Sequence, residues 1–202
     1  MPLIALKDGK LKNSLNNLRT VVLIVAIANL TYFGVEFVFA ILAKSVSLLA
    51  DSIDFLEDAA VNLLVFFALQ WSHSKRARIG KLLAAMICIP GLAAIAMAVQ
   101  KFMSRDIPEA TIITWVGIGA LLVNSVCALL LARVKQQGGS LSKAAFLSSR
   151  NDVFANMAII LAGFITIYYS SFWPDLIVGA GIALMNFDAA KEVWEEATKE
   201  TS

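Results

Sequence analysis

Along the chain, apolar residues gather into six long stretches separated by short polar or turn-forming connections. They fall at residues 20–43, 46–71, 82–103, 111–133, 144–169 and 174–195. A helix needs about 20 mostly apolar residues to cross a bilayer, and each stretch meets that length. Pro108, Gly138-Gly139 and Pro174 punctuate the connections, where helices stop and turn. No tandem repeat, low-complexity stretch or linker to a second domain interrupts the pattern. The pattern predicts an all-α membrane protein of six transmembrane helices. It divides into an N-terminal segment (1–19), a six-helix transmembrane domain (20–197) and a short tail (198–202). The polar start has no signal-peptide core or cleavage site, so the first span is expected to act as its own uncleaved insertion signal.

Composition removes the soluble alternatives. Of 202 residues, 59% are hydrophobic and 16% charged, with mean hydropathy +0.76. A soluble domain is about 45–50% apolar and about 25% charged, so a soluble enzyme, a disordered chain and a disulfide scaffold are all excluded. A net charge of +2 is too small for a nucleic-acid binder. Cys88 and Cys127 each stand alone in an apolar segment and read as small core residues.

Charge does set an orientation. Thirteen lysines and arginines lie in the N-terminal segment, the loops after the second and fourth stretches, and the tail. Only Lys44, Lys101 and Arg105 lie on the opposite side. The positive-inside bias then places both termini in the cytoplasm, and the expected location is a bacterial inner (cytoplasmic) membrane.

Within the spans, the informative residues are the acids. The second stretch reads SVSLLADSIDFLEDAAVNLLVFF, with Asp51, Asp54, Glu57 and Asp58 in eight residues. Each ionised acid at a membrane centre costs about 2.5–3.5 kcal/mol, so four cost on the order of 10 kcal/mol unless compensated. Asp51 and Asp54 reduce this if they sit near the outer interface. Asp51, Asp54 and Asp58 share one helical face, which Asn62 extends by a turn. The fifth stretch presents Ser148, Asp152 and Asn156 at four-residue spacing, and the first presents Asn29 and Glu36 seven apart. Three polar stripes are expected to face one another. Clustered carboxylates without lysines describe a divalent-cation site, because an emptied cluster must bind protons instead. Pairs at i, i+4 on two facing helices can supply four ligands in the tetrahedral array that Zn²⁺ prefers.

At these residues the chain resembles the cation diffusion facilitators, six-helix metal/proton antiporters. The resemblance runs from about residue 18 to 197. Ser47 to Asp58 is similar to the family signature on helix two, which opens S-L and closes [HD]-x-x-x-D, here Asp54 and Asp58, and Asn29 and Glu36 resemble the Asn and Glu upstream of it. Arg150-Asn151-Asp152-Val153 with Asn156 resembles the family's [HD]-x-x-x-D helix. The resemblance implies metal ligands at Asp54, Asp58 and Asp152, with Ser148 at a fourth position where His or Asp is common. Serine is a poor Zn²⁺ ligand, so water, Ser149, Asn151 or another carboxylate is expected to complete the shell. Asp51, Glu36, Asn29, Asn62 and Asn156 are then supporting, proton-handling or gating residues. The resemblance also implies a homodimer. The ferredoxin-like domain common after helix six has no counterpart here, so the dimer is expected to be held through transmembrane helices.

The function expected from these residues is efflux of Zn²⁺, with Cd²⁺ as a similar ion, by alternating-access antiport against protons carried on carboxylates. No prosthetic group is expected, since the metal is the substrate. Two alternatives share the fold: a Mn²⁺ or Fe²⁺ exporter, and a proton-coupled organic-cation transporter using Tyr32 and Phe33 beside Glu36. An intramembrane aspartyl protease is disfavoured, because no GxGD motif accompanies the acids. Other polar features carry less weight. Asp51 is a candidate exit-path residue or helix cap, Glu57 a candidate partner for Arg150, and Pro90-Gly91 a candidate bend. His73, Asp188 and the glutamates of the tail read as solvated.

Overall fold

A computed structural model describes residues 2–68, 92, 94–135 and 139–185, with side chains from residue 16 in the first helix and from 145 in the fifth. His73, Cys88, Pro90-Gly91, Asp188 and the tail glutamates lie outside the described residues. Six helices occur among those described, and no strand. We number them α1 (Pro2–Ala43), α2 (Val46–Ala68), α3 (94–104), α4 (Ala110–Val134), α5 (Gly139–Tyr169) and α6 (Trp173–Met185). The expected spans 20–43, 111–133 and 144–169 fall within α1, α4 and α5. Helix α1 differs in starting at Pro2, so the polar segment ahead of its span is helical too.

Three helices end alike. Lys44, Arg105 and Ser170 take left-handed backbone angles (φ 52°, 57° and 44°), which stop α1, α3 and α5. Their amides close the last turns, as in Arg105 N to Lys101 O (2.8 Å) and Ser170 N to Thr166 O (2.9 Å). Short connections then force the next helix to run back antiparallel. The three turns gather at one end of the bundle. Glu109 N donates to Ala43 O (3.1 Å), and Lys101 Nζ donates to Lys44 O.

Helices α1 and α2 pack together, as do α4 and α5; α1 also touches α4 and α2 touches α5, closing a four-helix ring. Small residues allow the closest approach. A Cβ on Gly163 would stand 2.5 Å from Thr114 Oγ1, so α5 meets α4 there without a side chain between them. Helix α6 approaches α2 more closely still. A Cβ on Gly179 would lie 2.6 Å from Ser47 N and from the Val46 carbonyl carbon, both backbone atoms. Met97 and Ala98 of α3 join Val46, Phe172 and Leu176 in an apolar cluster at this corner.

The bundle is inverted relative to a soluble protein. Ile27, Leu30, Val38, Leu42, Leu122 and Leu129 point outward, while Asn29, Glu36, Asp51, Asp58, Asn62, Asn124 and Asn156 are buried. That distribution suits a hydrocarbon solvent with a polar interior. Segments Asn16–Ala43, Ala110–Val134 and Ala145–Tyr169 are each long and apolar enough to cross a membrane. The protein is therefore an integral membrane protein. Helix α2 is long enough as well but carries the four acids. Exposed Tyr168, Tyr169 and Trp173 cluster at the α5–α6 turn, where amphipathic rings suit a membrane–water interface.

Candidate functional site

The polar stripes of α1, α2 and α5 meet inside the ring. The tight turn at Lys44-Ser45 sets the α1–α2 register. Asn29 Nδ2 donates to Asp58 Oδ2 (3.3 Å). Seven residues further along α1, Glu36 stands beside Asp51, which lies seven residues back along α2 and within side-chain hydrogen-bonding range. Helix α5 runs antiparallel to α2 and obeys the same spacing. Ser148 Oγ donates to Asp58 Oδ1 (2.9 Å) and Ser149 Oγ to Asp58 Oδ2 (2.8 Å). Asn156 Nδ2 reaches both oxygens of Asp51 (3.0 and 3.1 Å).

Two polar layers result. The deep layer holds Asn29, Asp58, Ser148 and Ser149. The turn-side layer holds Glu36, Asp51 and Asn156. At 1.5 Å rise per residue, seven residues of α2 separate the layers by about 10 Å. Asp54 and Asp152 lie between them along α2 and α5, with Asp152 beside Asp58. Asp54 is half-buried, whereas Asp51, Asp58 and Asp152 are buried. Asn62 donates to the Asp58 carbonyl oxygen (2.8 Å) and so closes its own helix turn rather than the cluster. From α4, Cys127 Sγ donates to Asn29 Oδ1 (3.6 Å), and Cys127 is otherwise packed among Val25, Val65 and Leu131.

The described cations near these helices are engaged elsewhere. Lys101 pairs with Asp175, Lys44 with Asp106, and Arg19 lies over the Phe66 ring. Arg150, expected as a partner for Glu57, is exposed and donates to Asn151 Oδ1 (3.4 Å). Buried carboxylates in such surroundings must be neutralised by protons or by a metal ion. Among the described residues, no three His, Cys, Asp or Glu side chains converge on a point where an ion would sit. In this arrangement the Asp58 oxygens turn to serine and asparagine donors. Holding a metal requires exchanging those donors for the ion.

Asp51, at the turn-side end of the α2 stripe, is enclosed by protein rather than open to water. Its neighbours are Glu36 of α1 and Asn156 of α5, and the end of α2 ahead of it is closed by Asp175, a residue that sequence reasoning passed over. The Asp175 carboxylate accepts from Ser45 Oγ (2.5 Å), Val46 N (2.9 Å), Ser47 N (3.1 Å), Ser47 Oγ (2.6 Å) and Lys101 Nζ (2.7 Å). With Ser45 Oγ accepting from Leu48 N (3.2 Å), the first amides of α2 are satisfied by protein groups rather than water. An anion at a helix N-terminus also complements the helix dipole. Helices α3 and α6 thus cover the start of α2. The available signal was an acid directly after Trp173-Pro174, combined with a lone lysine in an apolar stretch.

Tyr32, offered as part of an aromatic wall for an organic cation, spends its hydroxyl on α4, donating to Val116 O (2.6 Å). Its ring packs against Phe55 at 4.9 Å between centroids.

Comparison with known families is consistent with this geometry. The family described as the cation efflux transmembrane domain matches residues 22–200. No curated protein matches the chain.

Proposed function

The chain belongs to the cation diffusion facilitator family of membrane cation-efflux transporters, and on that premise we propose that it exports a divalent metal ion from the cytoplasm in exchange for protons. The observation that carries this reading is the Asp58 carboxylate, buried between α1, α2 and α5 with Asp152 beside it and Asp54 one turn away. A cluster of that charge in a low-dielectric interior is stable only when protons or a cation occupy it.

In this reading the metal is held by Asp54, Asp58 and Asp152. Ser148 turns its lone pairs to the ion once its hydrogen bond to Asp58 opens. Ligands must be deprotonated to bind, so loading the metal releases protons. Protons returning from the opposite side displace it again. With no histidine among the proposed ligands, the carboxylates themselves carry the exchanged protons. Half-buried Asp54 is the first contact for an arriving ion. Both termini lie in the cytoplasm, so the α1–α2, α3–α4 and α5–α6 turns face the release side. Rocking of helix groups about the fixed acids supplies alternating access. The chain works as a homodimer joined through transmembrane helices. Zn²⁺ is the substrate we assign, with Cd²⁺ as a similar ion. An all-oxygen ligand set also accepts Mn²⁺ and Fe²⁺.

The test is metal uptake into proteoliposomes under an imposed pH gradient. Asp58→Ala and Asp152→Ala should each abolish gradient-driven Zn²⁺ uptake. Uptake equal to the parent in either variant would overturn the assignment.

A further inference from the structure

Beyond the acids assigned to metal transport, the turn-side layer presents oxygen atoms with nothing to bind. Glu36 is wholly buried, and its carboxylate oxygens meet no donor: the polar group within hydrogen-bonding range is the Asp51 carboxylate, itself an acceptor. Asn156 is wholly buried too; its amide nitrogen is committed to Asp51, and its Oδ1 accepts no bond. Each such acceptor, cut off from water, destabilises the fold unless something satisfies it. Natural interiors rarely leave them so, and three at one level, next to a second buried carboxylate, form a pattern. All are oxygen and all are acceptors; they come from α1 and α5, and the Asp51 carboxylate of α2 lies beside both. What satisfies such a set is a cation.

We propose that Glu36, Asp51 and Asn156 form a second cation-binding position, which takes a hard divalent ion through oxygen ligands alone. Two carboxylates neutralise one divalent charge. Turning over the Asn156 amide, which releases its bonds to Asp51, supplies its oxygen as a third ligand, as carbonyl oxygens do for hard cations. The position lies about 10 Å from Asp58 on the rise of α2, on the side of the Lys44-Ser45 turn. It rests on the reading of the chain as a cation carrier and adds a station to that path. An ion leaving Asp54, Asp58 and Asp152 meets Glu36 and Asp51 next. Two occupied stations repel each other, so a newly loaded ion at the deep layer weakens the hold of the turn-side layer on its own.

Equilibrium binding of Mn²⁺ to the purified full-length protein, counted by electron paramagnetic resonance, tests this without transport. The parent should bind two ions per chain, close enough to broaden each other's spectra. Glu36→Gln, which keeps shape and removes charge, should bind one. Asp152→Asn should bind one, of the other kind, and the double variant none. Asn156→Asp adds a carboxylate to the turn-side layer and should tighten the second ion about tenfold, a readout independent of whether Glu36→Gln folds normally. The proposal is overturned if Glu36→Gln binds as many ions as the parent, or if Glu36→Gln and Asp152→Asn abolish the same single ion. Should Asp152→Asn keep both ions while Glu36→Gln loses one, the turn-side position stands and the assignment of the deep acids fails.

Discussion

Asp175→Asn is the substitution with the largest expected effect on stability. The Asp175 carboxylate is fully buried and gathers five donors, one of them the Lys101 ammonium at 2.7 Å. Lys101 is itself 3% exposed, and its other partner is the Lys44 carbonyl. Replacing the carboxylate by an amide keeps shape and one acceptor oxygen but leaves a buried, uncompensated cation. Breaking a buried pair in this way costs about 3–5 kcal/mol. Backbone amides at the start of α2 lose part of their cap, which moves the figure toward the upper end. For a chain of this size, about 1 kcal/mol corresponds to roughly 2–4 °C, so the midpoint should fall on the order of 10 °C. Thermal unfolding of purified protein, followed by tryptophan fluorescence, reads this directly, because Trp173 sits two residues from Asp175. The Lys101→Met/Asp175→Asn pair removes both charges and should recover most of the loss. Asp106→Asn breaks the exposed pair with Lys44 (3.6 Å, side chains 69% and 49% exposed) and should cost well under about 1 kcal/mol. A midpoint for Asp175→Asn within about 2 °C of the parent would refute the cap and ion pair as what holds α6 to α2.

Two further substitutions test the packing and the ligand set. Gly179→Ala should destabilise by about 1–3 kcal/mol, because its Cβ would meet the immovable backbone of Val46 and Ser47 at 2.6 Å; Gly181→Ala, with nothing within 4 Å, should leave the melting point unchanged in the same assay. Ser148→His puts an imidazole nitrogen four residues from Asp152 and should raise the preference for Zn²⁺ over Mn²⁺ about tenfold, or 1.4 kcal/mol, in competition uptake into proteoliposomes.

The acids of α2 and α5 and the partners on α1 were legible in the sequence because helical spacing is local. Asp51, Asp54 and Asp58 share a face by arithmetic alone, and so do Ser148, Asp152 and Asn156. The register between stripes was not legible. Asn29 meets Asp58 and Glu36 meets Asp51 because the turn at Lys44-Ser45 is two residues long. A longer turn would shift which oxygen faces which. Asp175 was hidden for a different reason. Its partners lie 74 and about 130 residues away in the chain, on α3 and at the α1–α2 turn, so no window of sequence contains the interaction. Without it, the start of α2 reads as a helix end facing water, and Asp51 as an interfacial residue.

That burial also explains how an acid-rich helix exists in the membrane at all. Span criteria score a helix by composition, on the premise that part of its surface meets lipid. Helix α2 escapes the premise. It touches α1, α4 and α5, its first turns lie under α6, and from Ser45 to Ala60 only Asp54 and Leu56 are not fully buried. Helices α1, α4 and α5 keep large apolar side chains pointing outward and meet the criterion; α2 has no need of them over its first four turns. The desolvation cost is met inside, by Asn29, Ser148, Ser149 and Asn156 donating to its carboxylates. In the proposed transport cycle, those same donors are what an arriving cation must replace. An acid held by neutral donors alone gives up its place in the network far more cheaply than one locked to a lysine, as Asp175 is to Lys101. The chain separates the two settings by helix: a permanent cation for the carboxylate that fastens α6, and exchangeable hydroxyls and amides for the carboxylates proposed to carry metal.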